Sequence, residues 1–135
     1  MGDPFRTLTD EYETWFETHE PTYRAELGAL TTLRPAADRS LSVGVGSGRF
    51  ADPLEIEYGI EPSPEMGILA SDRGIEVVRG VGEWLPFRDG SFELILAVTT
   101  VCFFDDLDRA FEEALRTVLE VSQADEDVVE FRSER

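Results

Sequence analysis

Between Thr9 and Leu33 the apolar residues Tyr12, Trp15, Phe16, Tyr23, Leu27 and Leu30 recur at helical spacing, and Pro21 interrupts them. This pattern predicts two short helices or one kinked helix. After a connection over 34–39 that contains Pro35, the period changes to short apolar runs at 41–45, 57–60, 75–79 and 92–98, each predicted to be a strand. The last run is nearly continuous in apolar residues, as a strand buried on both faces is. Between the runs, 49–52 predicts a short helix stopped by Pro53, and Ser63 followed by Pro64 marks a helix start whose end falls at Gly74. Asp89 and Gly90 are turn residues. Asp105 or Asp106 can cap a final helix in which Leu107, Ala110, Phe111, Ala114, Leu115, Val118 and Leu119 form one apolar face. The tail from Glu120 contains neither Gly nor Pro, and 128–131 can form a fifth strand. Alternating strands and helices predict an α/β fold with a mainly parallel sheet and right-handed crossovers. At 135 residues the chain is expected to form a single domain, with a helical segment at 1–34, an α/β core at 41–119 and an atypical tail at 120–135.

Charge narrows the partners. The chain carries 29 Asp and Glu against 12 basic residues, a net charge of −17, and all of the basic residues are arginine. Such a surface repels phosphate backbones and anionic lipid, which excludes nucleic acid and membrane as the main partner. An acidic, lysine-free surface is expected of a protein adapted to a high-salt cytoplasm, where screening over a few ångströms removes the self-repulsion. Cys102 is the single cysteine, so no internal disulfide can form, in keeping with a reducing, cytoplasmic setting. No stretch approaches the ~18 apolar residues of a membrane span.

Candidate chemistry collects at one end of the predicted sheet. Ligands of parallel α/β sheets bind at the carboxyl ends of the strands, near the point where strand order reverses. Gly44, Gly46 and Gly48 follow the first strand, Glu61 ends the second, Gly82 and Glu83 follow the third, and Val98 and Thr99 end the fourth. Glycines after the first strand let a ligand approach the backbone closely, or serve only as a structural turn. Their spacing is GxGxG, with Arg49 where a dinucleotide-binding GxGxxG has its third glycine, which disfavours a dehydrogenase. Glu61 can accept two hydrogen bonds from a ribose diol, or be a solvated strand-end carboxylate. Gly82 leaves its amide unobstructed, Glu83 is functional or solvated, and Trp84, Leu85 and Phe87 wall an adenine ring or belong to the core. Cys102 reads as a small buried residue. There is no paired-Cys or His-cluster metal site.

Four blocks in this order and spacing resemble a known family: Val43-Gly44-Val45-Gly46-Ser47-Gly48-Arg49-Phe50, Gly59-Ile60-Glu61-Pro62-Ser63 with Met66, Gly80-Val81-Gly82-Glu83-Trp84-Leu85-Pro86-Phe87, and Ser91-Phe92-Glu93-Leu94-Ile95-Leu96. The stretch 42–119 resembles the Rossmann-like core of class I S-adenosylmethionine-dependent methyltransferases, of the small-molecule type similar to the ubiquinone and menaquinone biosynthesis enzymes. Trp15-Phe16-Glu17-Thr18-His19 with Tyr23 resembles the N-terminal helical lid of one subgroup. The resemblance implies S-adenosylmethionine as cofactor and a small-molecule methyl acceptor. Gly44, Gly46 and Gly48 would cradle its amino-acid part, Glu61 its ribose, Gly82 and Glu83 its adenine, and Val98 and Thr99 its sulfonium. Catalysis would be mainly positioning, with reacting atoms ~3 to 3.5 Å apart. His19, the only histidine, is the candidate base where the acceptor must lose a proton, against its reading as a surface histidine.

Two departures stand out. Ser42 occupies the position before the glycines where the family usually has an acid, and losing a charge-assisted bond to the cofactor's ammonium costs roughly 1.5 to 3 kcal/mol. The chain also ends within sixteen residues of Leu119. The expectation is therefore a fold shortened at its C-terminus, with an open apolar edge at the fourth strand or at 128–131 covered by a second copy in a homodimer. The alternative function is a non-catalytic module that binds S-adenosylmethionine or acts through oligomerisation.

Overall fold

A computed structural model describes residues 4–98, 104–118, 120–125 and 128–132. Helices α1 (Pro4–Thr18) and α2 (Glu20–Leu33) are separated at His19, whose φ of −114° and ψ of 39° are not helical. Pro21 lies in the first turn of α2, where its missing N–H has no intrahelical acceptor to lose. The proline therefore opens a second helix and does not kink a single one.

Strands β1 (Ser40–Val43), β2 (Tyr58–Glu61), β3 (Glu76–Arg79) and β4 (Leu94–Leu96) form a parallel sheet in the order β3-β2-β1-β4. The chain thus builds outward from β1 to β3 and then crosses to the other side of β1. Strand order reverses between β1 and β4, and it is beyond the carboxyl ends of strands at such a point that parallel α/β sheets bind ligands. All four residues of β1 are buried, as in a central strand covered on both faces.

Alternation along the strands divides the core in two. On one face Leu94 packs with Val45, Phe50, Ala51, Leu54, Ile56, Ala70, Ile75 and Phe16 of α1. On the other, Leu41, Val43, Ile60 and Ile95 pack with Leu85, Phe92, Ala114 and Val118. Helix α3 (Pro64–Asp72) begins at Ser63, whose Oγ accepts from Met66 N, and Gly74 beyond it has a φ of +93°. Helix α4 (Leu107–Thr117) begins at Asp106, whose Oδ1 accepts from Arg109 N at 3.0 Å.

Several expectations change. Residues 49–52 do not form a regular helix: overlapping turns run on through Pro53, with Asp52 N donating to Gly48 O and Leu54 N to Phe50 O, and end at Glu55 with φ +58°. The segment drops Phe50, Ala51, Leu54 and Ile56 into the core, and Arg34 holds its end through the carbonyls of Leu54 and Glu55. The apolar face expected for α4 is split. Ala110, Glu113, Ala114 and Thr117 face inward, while Leu107, Phe111 and Leu115 are exposed, because Glu113 is drawn in by Arg109 and Arg116. Leu119 lies outside the described residues. The tail forms an antiparallel hairpin of β5 (Glu120–Asp125) and β6 (Val128–Arg132), of which β5 has no apolar signature. Phe92, just before β4, bridges to Val118, and β6 lies beside β4. The edge expected to be bare has neighbours from its own chain, so the argument for a second copy there does not carry over.

Phe16 is only 4% exposed, which makes α1 part of the core, while Tyr23, Leu27 and Leu30 of α2 pack against it half-buried. Phe16→Ala is expected to lower unfolding stability by ~3 to 5 kcal/mol, against under ~1 kcal/mol for Trp15→Ala, measured by denaturant titration. Equal effects would remove α1 from the core.

Candidate functional site

The turn after β1 is built by positive φ at Gly44, Gly46 and Gly48. Gly44 N and Val45 N both donate to Ile60 O, at 2.9 and 3.0 Å, which fastens the turn across to β2. The central contact is Glu61. Its Oε1 accepts from Gly46 N at 2.9 Å and its Oε2 from Ser63 N at 2.8 Å, with the residue 9% exposed. A solvated strand-end carboxylate is thereby excluded. A charged acceptor strengthens both bonds, the N-terminal end of α3 favours its charge, and each oxygen keeps a lone pair for a further donor.

Absent side chains have specific reasons here. A Cβ on Gly48 would lie 2.6 Å from Ile75 Cδ1, so this glycine admits the packing of α3 and β3. A Cβ on Gly82 would lie 2.7 Å from Phe104 and 2.9 Å from Val43, so the loop after β3 is pressed against the segment leading to α4. Glu83 is engaged as well: Oε2 accepts from Asp105 N at 3.1 Å and Asp106 N at 3.4 Å. Leu85 is core and Phe87 packs against it, while Trp84 is exposed under the Arg109 guanidinium at 4.1 Å. Ser42 is buried within β1, in register with Gly59 and Leu96. Val98 follows β4 and packs on the same cluster as Phe16. Thr99 and Cys102 lie outside the described residues. His19 is exposed at the α1–α2 break, stacked on the Trp15 ring with Nδ1 3.0 Å from Trp15 O.

The N-terminal helices supply partners that the loop motifs gave no hint of. Arg49 pairs with Glu13 of α1 at 2.8 Å and lies over the Phe16 ring, while the Tyr23 hydroxyl of α2 donates to Arg49 O. Tyr12 reaches Gly46 itself: a Cβ on that glycine would lie 3.3 Å from Tyr12 Oη. Burial first, then the charges of Glu13 and Glu61, push the Tyr12 pKa up to about 12. The sequence signal for these contacts is the helical spacing of Tyr12, Phe16 and Tyr23, which reports a buried face without naming what it meets.

Residues 41–120 match the family described as methyltransferase domain. The chain belongs to that family. With the parallel sheet and its strand order, it is a class I S-adenosylmethionine-dependent methyltransferase core. An S-adenosylmethionine-dependent methyltransferase from Thermotoga maritima, described as a possible histamine N-methyltransferase, superposes with a TM-score of 0.81 at 46% identity, over 84% of this chain and 55% of that one. An uncharacterized protein of Methanocaldococcus jannaschii is 40% identical over 114 residues, covering 84% of this chain and 55% of that protein. A Haloferax volcanii protein in complex with the Trm112 methyltransferase activator shares the fold, with a TM-score of 0.71 at 21% identity over 87% of this chain and 57% of that one. The methyltransferase core spans about half the length of such relatives.

The residues present fit the family's cofactor, S-adenosylmethionine. Glu61 keeps acceptor capacity at the carboxyl end of β2, beside a turn shaped by positive φ at Gly44, Gly46 and Gly48.

Glu61→Gln should destabilise the methyltransferase core by roughly 1 to 3 kcal/mol, because one backbone donor then faces an amide N–H. Unchanged stability in chemical denaturation would mean the two bonds are dispensable. High pH tests Tyr12. Its folded pKa lies above the unfolded value of 10.0, so its contribution is complete below pH 10 and is lost as pH rises toward about 12. Wild type is expected to lose stability more steeply over that window than Tyr12→Phe, and parallel profiles would contradict the burial of the hydroxyl.

Proposed function

We propose that the chain binds S-adenosylmethionine along the carboxyl ends of β1 to β4 and positions it for methyl transfer to a small-molecule acceptor. One observation carries the reading: the buried Glu61 carboxylate is locked to the Gly46 amide with acceptor capacity to spare. When bound, the cofactor supplies an electrophilic methyl group on a sulfonium.

The chain's own residues supply place and dryness. Positive φ at Gly44, Gly46 and Gly48 shapes the turn at the amino-acid end of the site, with Tyr12 beside Gly46 and Ile75 beside Gly48, and Glu61 offers its remaining lone pairs to a diol. Gly82 and Glu83 set the floor on the adenine side by fixing the loop after β3 against Phe104 and the start of α4. Val98, just after β4, would face the transfer end, a role that the sequence resemblance also gives to Thr99. An acceptor that attacks through a neutral amine or a thiolate needs alignment more than proton removal, so positioning carries the rate. His19, exposed and stacked on Trp15, is the remaining candidate for a base. The absence of lysine and the net charge of −17 support a high-salt cytoplasm as the working environment.

Calorimetric titration in molar potassium chloride tests the reading. Binding of S-adenosylmethionine and S-adenosylhomocysteine is expected, with Glu61→Ala losing at least ~100-fold in affinity, as removal of a charged acceptor from a diol predicts. No heat from either ligand at millimolar concentration would reject cofactor binding. Binding without turnover across a panel of amine, thiol and hydroxyl acceptors would favour a non-catalytic module.

A further inference from the structure

Between β3 and β4 the chain has no regular structure over 81–91, and two arginines of α4 fasten it. Arg109 Nε donates to Glu83 O at 3.2 Å, while Arg116 donates from Nη2 to Leu85 O at 2.9 Å and from Nη1 to Phe87 O at 2.7 Å. Alternate carbonyls of the loop thus end on one helix. Both guanidiniums share a carboxylate: Glu113 Oε2 accepts from Arg116 Nε at 2.6 Å, and its Oε1 lies 3.6 Å from Arg109 Nη2. Glu113 is only 7% exposed.

A buried ion pair is a weak source of stability, because taking the charges out of water offsets most of their attraction. An apolar side chain beside Ala110 and Ala114 would serve packing as well. What the carboxylate does that an apolar residue cannot is hold two planar guanidiniums in one direction, each presenting its donors as a rigid fork. That direction decides where the loop carbonyls sit. Arg109 also lies over the Trp84 ring at 4.1 Å, and Gly82 is stopped by Phe104 and by Val43 of β1, where a Cβ would lie 2.7 and 2.9 Å away.

We propose that Glu113 is a positioning residue of the site: by holding Arg109 and Arg116 in one arrangement, it sets the loop after β3 where Gly82 and Glu83 meet the adenosine part of the cofactor. The inference rests on the cofactor reading above and extends it to α4, which carries none of the residues that the sequence assigns to the site.

The test is ligand affinity measured on folded protein. S-adenosylhomocysteine and 5′-methylthioadenosine share adenine and ribose, and the first alone has the α-amino-acid group. Glu113→Gln keeps the volume and removes the charge that both guanidiniums face. Arg116→Lys keeps the charge and loses the fork that reaches two carbonyls at once. By calorimetry each variant is expected to bind both ligands about tenfold more weakly than wild type, by the same factor for the two, the order of one hydrogen bond lost from register. Denaturant titration of the same samples shows whether they are folded, and if Glu113→Gln is not, Arg116→Lys decides alone. Asp89 is exposed and also meets Arg116 Nη1, at 2.9 Å, so Asp89→Asn is expected to bind as wild type does. A comparable loss in Asp89→Asn would trace the effect to surface charge and overturn the proposal. Wild-type affinity in the folded variants, whatever their loss of stability, would make the cluster purely structural and overturn it too. So would a larger loss for S-adenosylhomocysteine than for 5′-methylthioadenosine, which would move the effect to the other end of the ligand. Each of these results leaves the cofactor reading intact, whereas failure of wild type to bind either ligand would overturn both.

Discussion

The geometry of the rim depends on one buried carboxylate. Glu61 ends β2 and takes the amides of Gly46 and Ser63, so a single side chain joins the turn after β1 to the first residues before α3. Neither amide has a helical or sheet partner to fall back on, and a buried donor left open costs ~1 to 3 kcal/mol. The same carboxylate would be costly at 9% exposure without those donors. Under the proposed function a ligand would have to use the lone pairs of Glu61 that the backbone leaves free, so the same carboxylate would serve structure and binding.

The N-terminal helices answer the other half of the problem, which is how an irregular turn of glycines is kept from collapsing. Glycine loses more backbone entropy on ordering than any other residue. Here Arg49, immediately after Gly48, is held by Glu13 from α1, by the Tyr23 hydroxyl from α2 and over the Phe16 ring. Phe16 continues into the cluster that covers one face of the sheet. The residue that spoils the dinucleotide pattern is thus the one by which the helices grip the turn.

Much of this was legible in the sequence, and the rest has identifiable reasons. Ser63 and Asp106 act through backbone amides three residues on, so their caps can be read locally. The glycine turn after β1 and the acid that ends β2 are legible for the same reason, since each sits at the end of its strand. The short helix expected at 49–52 is instead a run of turns that continues through Pro53, in which i to i+4 bonds form without propagating past Glu55. The face of α4 was misjudged because periodicity counts apolar residues, whereas Glu113 is buried by two arginines that lie one turn away on either side of it. Strand β5 has no apolar alternation and takes its form from pairing with β6. Tyr12 and Glu13 could not be placed at all, since their partners are more than thirty residues away in sequence.

The loop after β3 completes the rim by a different route. Its backbone carbonyls at Leu85 and Phe87 accept from Arg116 at 2.9 and 2.7 Å, and Glu83 O accepts from Arg109 Nε at 3.2 Å. Both arginines belong to α4 and share Glu113, so the loop is clamped along the length of that helix. Gly82 then presses against Phe104, and the Glu83 carboxylate holds the amides that begin α4. The loop after β3 and α4 are therefore fixed to each other at several points along the helix, by side chains at its start and at its end.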